Sequence, residues 1–441
     1  MKSSILAVFS VLAMGAFAET GVIGDIVVSP SEKARNVEIT YRLTGGEAIV
    51  TMEVWTNGVF AGDSAAWSAT GDVNALVQPD AEAVRRIVWF PDFDMPGEVL
   101  PSVSVKLKTW ATNDPPNYMA VRVVPDEAKQ TLYYVSEEAL PGGIGDRRWR
   151  TDYLLMRRIP HSTDFWRMGA PSGEAPGRAA NEVPHYVKFS KDYYIGVFQV
   201  TQGQFASLFG SNPSPAAQQA LPDAELRPVT YVKINGMLRN TPTATKYRWP
   251  EDGHSYEGAV FMGKLKTRTG IAFDLPTDAQ WEYAARAGEK AAMPNGQPPS
   301  DASRTDIAWI PETAGTPDAP CDPAPVGSLQ ANNWGLYDML GNVAEWTLDW
   351  WSDTSYANPY PNNDYHYSAD ETGGIVDPVG PASDAEGIQY KVIRGLGVTL
   401  TKSLVPTYLR VAYRLEKRTP TSQLDWVGFR VVCPCPAAGS F

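Results

Sequence analysis

Cysteine and histidine are scarce in this chain, and basic residues are outnumbered by acidic ones. Its 441 residues include 3 cysteines and 4 histidines, which excludes a disulfide-rich scaffold and a metal site built from four thiolates. Lysine and arginine total 38 against 50 acidic residues, so the net charge is −12 and no binding to a nucleic-acid backbone is expected. The chain is rich in other residues, with 37 glycines and 36 prolines, which predicts a loop-rich fold.

One apolar run stands at the N-terminus and indicates a secretory signal. Lys2 precedes the apolar residues 5–17, and Ala16-Phe17-Ala18 has the small-residue pattern of a cleavage site. The run is too short to cross about 30 Å of hydrocarbon, and no second long run follows, so we expect no transmembrane anchor. The sequence therefore predicts a signal peptide at residues 1–18 and export to the periplasm or the extracellular space.

Residues 22–125 have the alternating pattern of β-strands. Apolar residues occupy every second position in two stretches, at Val37, Ile39, Tyr41 and Leu43 and again at Val103, Val105 and Leu107. Several short strands separated by turns predict an all-β, immunoglobulin-like sandwich. A connector is expected at residues 126–160. No catalytic constellation is visible in this module, which favours a spacer or binding role.

Two helices are marked by reciprocal capping residues in the second half of the chain. Thr201 and Gln204 form the first S/T-x-x-E/Q pattern, and Gly210 is expected to close that helix. Thr277 and Gln280 form the second pattern, and Gly288 is expected to end that helix.

Six motifs then follow in one order through residues 161–432. They read FWRMG at 165–169, YIGVFQVTQGQF at 194–205, LPTDAQWEYAARAG at 275–288, GLYDMLGNVAEW at 335–346, RVAYR at 410–414 and GFRVV at 428–432. Together they resemble the formylglycine-generating enzyme, or sulfatase-modifying factor, family. The resemblance implies an α+β fold of low regular secondary structure, related to C-type lectins, followed by a tail at residues 433–441.

The residues that carry catalysis in that family are replaced here. Its aerobic enzymes oxidise a sulfatase cysteine to formylglycine with a copper ion held by two cysteines, and soft thiolates suit Cu(I). The resemblance aligns those cysteines with Pro406 and Val411, so copper is not expected. Cys433 and Cys435 lie beyond the last motif. They could bind a soft metal, one could pair with Cys321, or they could be incidental residues of the tail.

The same resemblance implies a structural calcium site. Carried over residue by residue, Asp338 and Glu345 would supply side-chain carboxylates, and Gly341 and Val343 would supply main-chain carbonyls. Calcium takes six or more oxygens of these kinds. The alternative is that the two acids only cap or pair locally.

Two functions from different classes remain open at this stage. The favoured one is a binding or structural module for a peptide, a glycan or an exported protein, with a ligand groove centred on Trp346, Arg410 and Arg414. The alternative is an enzyme of the formylglycine-generating type that modifies exported proteins such as sulfatases. The 14 tryptophans suggest sugar stacking, but those inside the motifs are expected in the core.

Overall fold

The computed structural model of the chain describes residues 21–98, 102–125, 130–171, 182, 184–240, 258–297, 304–351, 374–380 and 390–435. The chain divides into an N-terminal unit (Met1–Arg122, Glu127–Trp149 and Cys435–Phe441) and a C-terminal unit (Val123–Asp126 and Arg150–Pro434). The boundaries expected at 125, 160 and 432 stay predictions. The predicted signal peptide, residues 1–18, lies outside the described residues. Within the described ranges, none of the helices is long and apolar enough to cross a membrane.

The N-terminal unit consists of antiparallel sheets. Its strands are β1 (Val22–Ser31), β2 (Asn36–Thr44), β3 (Ala48–Thr56), β4 (Val59–Phe60), β5 (Thr70–Gly71), β6 (Ala75–Val77), β7 (Asp80–Trp89), β8 (Val103–Trp110), β9 (Tyr118–Arg122) and β10 (Thr131–Tyr134), with the short helix α1 at Pro91–Asp94. One sheet has the order β1-β2-β7-β5, and in the other β3 pairs with β4, β6 and β8. β9 and β10 form a further antiparallel pair.

The alternation predicted for this unit is confirmed by burial. In β2 every second residue is buried, and Val103, Val105 and Leu107 of β8 are buried as well. Ile39 and Ile87 from one sheet and Val54 and Val105 from the other belong to a single apolar core. Two sheets therefore bury one shared set of apolar side chains.

The C-terminal unit has short strands, few helices and much irregular chain. Its strands are β11 (Tyr153–Ile159), β12 (Trp166–Met168), β13 (His185–Lys188), β14 (Tyr193–Gly196), β15 (Ala344–Trp350), β16 (Ile375–Val376), β17 (Lys391–Arg394), β18 (Leu415–Arg418), β19 (Val427–Gly428) and β20 (Val432–Pro434). They pair as β11-β14-β20, β12-β13-β16 and β18-β17-β15-β19. The α-helices from residue 148 onward are α2 (Arg148–Thr151), α3 (Gln202–Phe209), α4 (Ala216–Gln219), α5 (Phe261–Thr269), α6 (Asp278–Arg286) and α7 (Val405–Tyr408).

Both predicted capping boxes are present. Thr201 accepts a hydrogen bond from the Gln204 N–H and opens α3, which Gly210 closes with φ 95°. Thr277 and Gln280 open α6 in the same way. Helix α6 ends earlier than predicted, because Ala287 already adopts the left-handed conformation at φ 47°. The β-rich, helix-poor architecture is confirmed, while the immunoglobulin-like and C-type-lectin-like assignments stay predictions.

Candidate functional site

Pro406 and Val411, which the family resemblance aligns with the copper cysteines, carry no metal-binding group. Pro406 lies in α7, and Val411 is fully buried in the apolar cluster that contains Trp281 and Leu409. The Val411 N–H donates to the Ala292 carbonyl at 2.9 Å, and its own carbonyl accepts from Arg394 Nη1 at 2.8 Å. This part of the chain is packed as hydrophobic core.

The three cysteines are all described, and no disulfide joins them. Cys433 is fully buried on β20, opposite Tyr194 of β14. Cys321 is half-buried, and burial together with the charge of Asp322 raises the pKa of its thiol to about 11. A thiol with that pKa is almost entirely protonated at neutral pH, which makes it a poor nucleophile and a poor metal ligand.

The residues predicted to line a ligand groove lie in the interior. Trp346 is fully buried, and its Nε1–H donates to the Val232 carbonyl at 3.0 Å. Arg410 donates through both terminal nitrogens to the Glu182 carboxylate, at 2.7 and 2.9 Å. The third residue, Arg414, pairs with Asp278. A ligand would have to displace these partners, and the groove assignment stays a prediction.

Arg414 belongs to a buried network of charges around helix α6. Arg414 Nε lies 2.8 Å from Asp278 Oδ2, and Arg394 bonds both Asp278 and Glu282. Burial alone would raise the pKa of Glu282, but Arg286 and Arg394 hold it below its usual value. The network therefore keeps this carboxylate ionised in the interior.

A second part of the same network contains two groups with opposite pKa shifts. Burial and the charge of Asp278 raise the pKa of Asp349 to about 7. Burial and the charge of Arg239 lower the pKa of Lys391 well below its usual value. The Lys391 Nζ donates to the Leu348 carbonyl at 2.6 Å and lies 3.7 Å from the centroid of the Trp350 ring.

Three of the four residues predicted to bind calcium contact the amide of Gln199, but Asp338 does so through its main-chain oxygen and not through the predicted carboxylate. The Gln199 Nε2 donates to the main-chain oxygens of Val343 at 2.8 Å and Asp338 at 3.3 Å, and to Glu345 Oε1 at 3.0 Å. The Gln199 Oε1 atom is buried without a hydrogen-bond partner. Gly341 contributes no acceptor to Gln199. Three oxygens thus converge on the Gln199 amide nitrogen, and the Oε1 atom of the same amide has no partner among the described residues.

The two carboxylates of this cluster have different environments. Glu345 is fully buried, and Arg430 bonds both of its oxygens at 2.7 Å while Trp281 Nε1 donates to Oε2 at 2.8 Å. Asp338 Oδ2 accepts from the Gly327 N–H at 2.8 Å, and burial raises the pKa of Asp338 to about 6. The donor set is oxygen-rich, which fits calcium in ligand type.

A cavity of about 550 Å³ opens elsewhere in the C-terminal unit. Trp309 and Trp426 line it, together with Arg227, Asp322 and Asp425. The two tryptophans and the two aspartates lie outside the six motifs that carry the family resemblance. Sequence reasoning did not assign a role to them, or to Gln199 and Arg430, although both of the latter stand inside motifs.

Comparison with known proteins places the C-terminal unit in a family. The sulfatase-modifying factor enzyme 1-like domain family matches residues 165–434. The formylglycine-generating enzyme of Streptomyces coelicolor is 36% identical over 35% of this chain and 45% of its own length. The chaperone protein LppX of Paenibacillus barcinonensis is 29% identical over 43% of this chain and 72% of its own length. The chain thus spans less than half of the formylglycine-generating enzyme that it matches.

Solved structures give a more distant likeness. PvdO from Pseudomonas aeruginosa aligns with 64% of this chain and 95% of its own, at 23% identity and a TM-score of 0.45. Treponema denticola variable protein 1 aligns over the same shares of the two chains, at 20% identity and a TM-score of 0.46.

Proposed function

We propose that this chain, which belongs to the family of sulfatase-modifying factor enzyme 1-like domains, acts as a binding module and not as a copper-dependent thiol oxidase. The observation that carries the proposal is that the chain has Pro406 and Val411 at the positions that the family resemblance aligns with the copper cysteines. The Val411 side chain is part of the apolar core, and neither proline nor valine has a ligand atom for copper.

The cysteines that remain do not supply a substitute site in the described structure. Cys433 is fully buried within a strand pair. Cys321 lines the 550 Å³ cavity, where burial raises the pKa of its thiol. No group of three or more His, Cys, Asp or Glu side chains suited to a metal ion occurs among the residues that the structure describes. The burial of Cys433 and the raised pKa of the Cys321 thiol support binding over oxidation.

The remaining parts of the proposal rest on the sequence and the relatives. Export follows from the predicted signal peptide at residues 1–18. A relative, LppX, is named a chaperone protein, and a chaperone binds other proteins, which favours an exported protein or a peptide among the ligands of this chain. The proposal also includes the two folds that would carry this binding. The N-terminal module would be immunoglobulin-like, and the C-terminal unit would be C-type-lectin-like.

A turnover assay tests the proposal against the enzymatic alternative. The mature chain, residues 19–441, is incubated with a Cys-x-Pro-x-Arg peptide, copper and oxygen, and mass spectrometry follows conversion of the thiol to the aldehyde. The formylglycine-generating enzyme of Streptomyces coelicolor is the positive control. We expect no conversion. Conversion that disappears in the Cys321→Ser or Cys433→Ser variant would overturn the binding assignment and identify an unconventional oxidase.

We also propose that a calcium ion is held by the oxygen cluster around Gln199. Oxygens of Asp338, Val343 and Glu345 converge on the Gln199 amide nitrogen, and Gln199 Oε1 has no partner among the described residues. An ion would bind these oxygens with the Gln199 amide turned over, so that Oε1 faces them in place of Nε2. Since Glu345 is already neutralised by Arg430, carbonyl oxygens would supply most of the ligands, as calcium accepts. The role of the ion would be to order the loops that carry these oxygens.

Calcium binding is measured directly by titrating the ion into chelator-treated protein and following its melting temperature. Binding to the folded state at a hundred times the dissociation constant adds about 2.7 kcal/mol to the free energy of unfolding. We expect Asp338→Asn to weaken this response, and Asp349→Asn, a buried acid outside the cluster, to retain it. A melting temperature that does not respond to calcium in the wild-type protein would refute the site.

A further inference from the structure

The 550 Å³ cavity is built by two walls of the C-terminal unit, and the first is held by Asn342. The Asn342 N–H donates to the Trp309 carbonyl at 2.7 Å, and the Asn342 carbonyl accepts from the Val398 N–H at 2.9 Å. Its side-chain amide bonds the main chain of Ala324 in both directions, at 3.0 and 3.2 Å. One buried residue of the GNVAEW motif therefore fixes three segments of the wall.

Close backbone approach makes this arrangement specific. A Cβ at Gly341 would lie 2.5 Å from the Trp309 nitrogen, and a Cβ at Gly397 would lie 2.0 Å from the Asn342 oxygen. Val398, which is bonded to Asn342, also fixes the position of Cys321, because the Val398 carbonyl accepts from the Cys321 N–H at 2.9 Å. Trp309 and the segment that begins at Cys321 are thus placed by main-chain contacts.

The second wall is held by Gln218. Its Nε2 donates to the Asp425 carbonyl at 2.7 Å, and its Oε1 accepts from the Thr230 hydroxyl at 2.5 Å. Trp426 follows directly, and its carbonyl accepts from the Ala344 N–H at 3.0 Å. Asp425 and Trp426 are therefore positioned at the entry to β19.

Arg227 bridges the two walls. Its Nε donates to the Pro222 carbonyl at 3.0 Å, and its Nη1 donates to the Pro323 carbonyl. A guanidinium has five donors, and among the residues that the structure describes Arg227 Nη2 makes no hydrogen bond, so its hydrogens are free to bond a ligand. The Arg227 guanidinium is thus a cation at the cavity, and the main-chain carbonyls of Pro222 and Pro323 hold it in place.

The acids of the cavity are not engaged by this cation. Within the part of the chain that the structure describes, the carboxylates of Asp322 and Asp425 take part in no hydrogen bond or ion pair, although both residues line the cavity and are exposed. Trp309 uses its Nε1–H on the Asp322 main-chain oxygen, at 2.9 Å. The indole therefore presents apolar ring surface to the cavity rather than its donor.

From this combination we infer that the cavity binds a neutral carbohydrate of one to three sugar units. Carboxylates only accept hydrogen bonds and a guanidinium only donates them, whereas a hydroxyl does both. A sugar ring offers many hydroxyls along its edge and an apolar C–H face for an indole. The volume lies within the range of about 300–1,000 Å³ found for small-molecule sites.

Charged ligands fit the same surface less well. Arg227 would repel a cation, and the two carboxylates would repel an anion, whereas a neutral polyol can satisfy both kinds of group. The inference rests on the proposed function as a binding module and specifies the ligand class of that module. It concerns a cavity whose lining residues do not include Pro406, Val411, Arg410 or Arg414.

The test begins with the mature chain on an array of neutral and charged glycans. Cellobiose, maltose and N,N′-diacetylchitobiose then serve as soluble probes in titrations followed by tryptophan fluorescence and calorimetry. The variants are Trp309→Ala, Asp425→Asn and, as the matched control, Trp55→Ala in the N-terminal unit. Circular dichroism and melting temperatures establish that each variant is folded, and Trp309→Phe replaces Trp309→Ala if the latter is not.

We expect a neutral glycan to be retained, with affinity at least about tenfold lower in Trp309→Ala, as for a buried aromatic anchor. Asp425→Asn should weaken binding severalfold, and Trp55→Ala should leave it unchanged. Failure of every neutral glycan to bind, retention of charged glycans alone, or retention unaffected by both cavity variants would overturn the inference. Turnover of the Cys-x-Pro-x-Arg peptide reports separately on the proposed function, so the two can fail independently.

Discussion

The two units of this protein handle charge in opposite ways. In the N-terminal unit the ion pairs lie at the surface, as in Arg86–Glu38, whose side chains are 61% and 38% exposed. In the C-terminal unit several pairs are in the interior, and the Arg430–Glu345 and Arg410–Glu182 pairs are completely buried, at 0% exposure. Arginine and glutamate therefore face solvent in the N-terminal unit, whereas in the C-terminal unit several of them form part of the buried core.

The difference follows from the amount of regular secondary structure. Long antiparallel strands satisfy their own N–H and C=O groups, so the core of the N-terminal unit can be apolar. The C-terminal unit consists largely of loops, whose buried carbonyls need other donors. Arg430 donates to the carbonyls of Gly196 and Tyr337, and Arg394 donates to those of Val411 and Tyr413.

Buried arginines thus replace part of the hydrogen bonding that strands would provide. A guanidinium has five donors in a rigid plane and can bond a carboxylate and several carbonyls together. The paired carboxylates, Glu345 for Arg430 and Asp278 with Glu282 for Arg394, supply the counter-charge that makes burial tolerable. A loop-rich unit of this kind depends on its charged residues for its fold.

The largest effect is expected when a buried arginine is removed. Arg430→Met leaves Glu345 buried without its partner and should lower the free energy of unfolding of the C-terminal unit by about 3–5 kcal/mol. Hydrogen exchange followed by mass spectrometry should show lost protection in peptides of β14 and β20. Peptides of β2 and β3 should be unchanged. Equal loss in both units would contradict the comparison.

A smaller effect is expected from the buried acid Asp349. Its pKa is raised to about 7 in the folded state, against about 3.9 in an unfolded chain, so the folded state binds its proton more tightly. Stability from this group is present below pH 4 and is lost as the pH rises toward 7. Asp349→Asn should remove that loss and make the protein more stable at pH 8 by up to roughly 4 kcal/mol.

The measurement for Asp349 is chemical denaturation between pH 4 and pH 8. Asp80→Asn in the N-terminal unit is the control, because hydrogen bonds from the Glu82 and Ala83 N–H groups lower the pKa of that exposed carboxyl. The stability it contributes is lost as the pH falls, which is the opposite direction. A pH profile of Asp349→Asn that is parallel to the wild type would refute the assignment.

The smallest effect is expected at the surface of the N-terminal unit. Arg86→Met removes the exposed pair with Glu38 and should change the free energy of unfolding by less than about 1 kcal/mol, since solvent screens such pairs. Denaturant melts of Arg86→Met and Arg430→Met under identical conditions make the comparison direct. A loss at Arg86 that matched the loss at Arg430 would show that exposure does not separate the two classes.

Local features of the fold were predictable from the sequence. The alternation in β2, the capping boxes of α3 and α6, and the order of the family motifs all depend on residues within a few positions of each other. The early end of α6 at Ala287 was missed, because a left-handed alanine has no signature in sequence. The cavity was also missed, since Trp309 and Trp426 lie more than a hundred residues apart and outside the motifs.

For the predicted site residues as well, partners that lie far away in the sequence were not predicted. Asp338, Gly341, Val343 and Glu345 were predicted as a group because the family resemblance implies a calcium site in the motif that contains all four. Gln199 joins them from 139 residues away through the Asp338 carbonyl, and Arg430 joins from 85 residues away through Glu345. Arg410 was predicted to face a ligand, and the structure places it against Glu182, 228 residues away in the chain.

The sequence by itself determined the family and the strand and helix signals, because each depends on residue identity or on short-range spacing. Only the tertiary structure decided which arginines are buried, which oxygens surround Gln199, and that two tryptophans line one cavity with Asp322 and Asp425. Those outcomes depend on which distant segment desolvates a group and which partner it then meets. The periodicity of the sequence does not show which distant segments will come into contact.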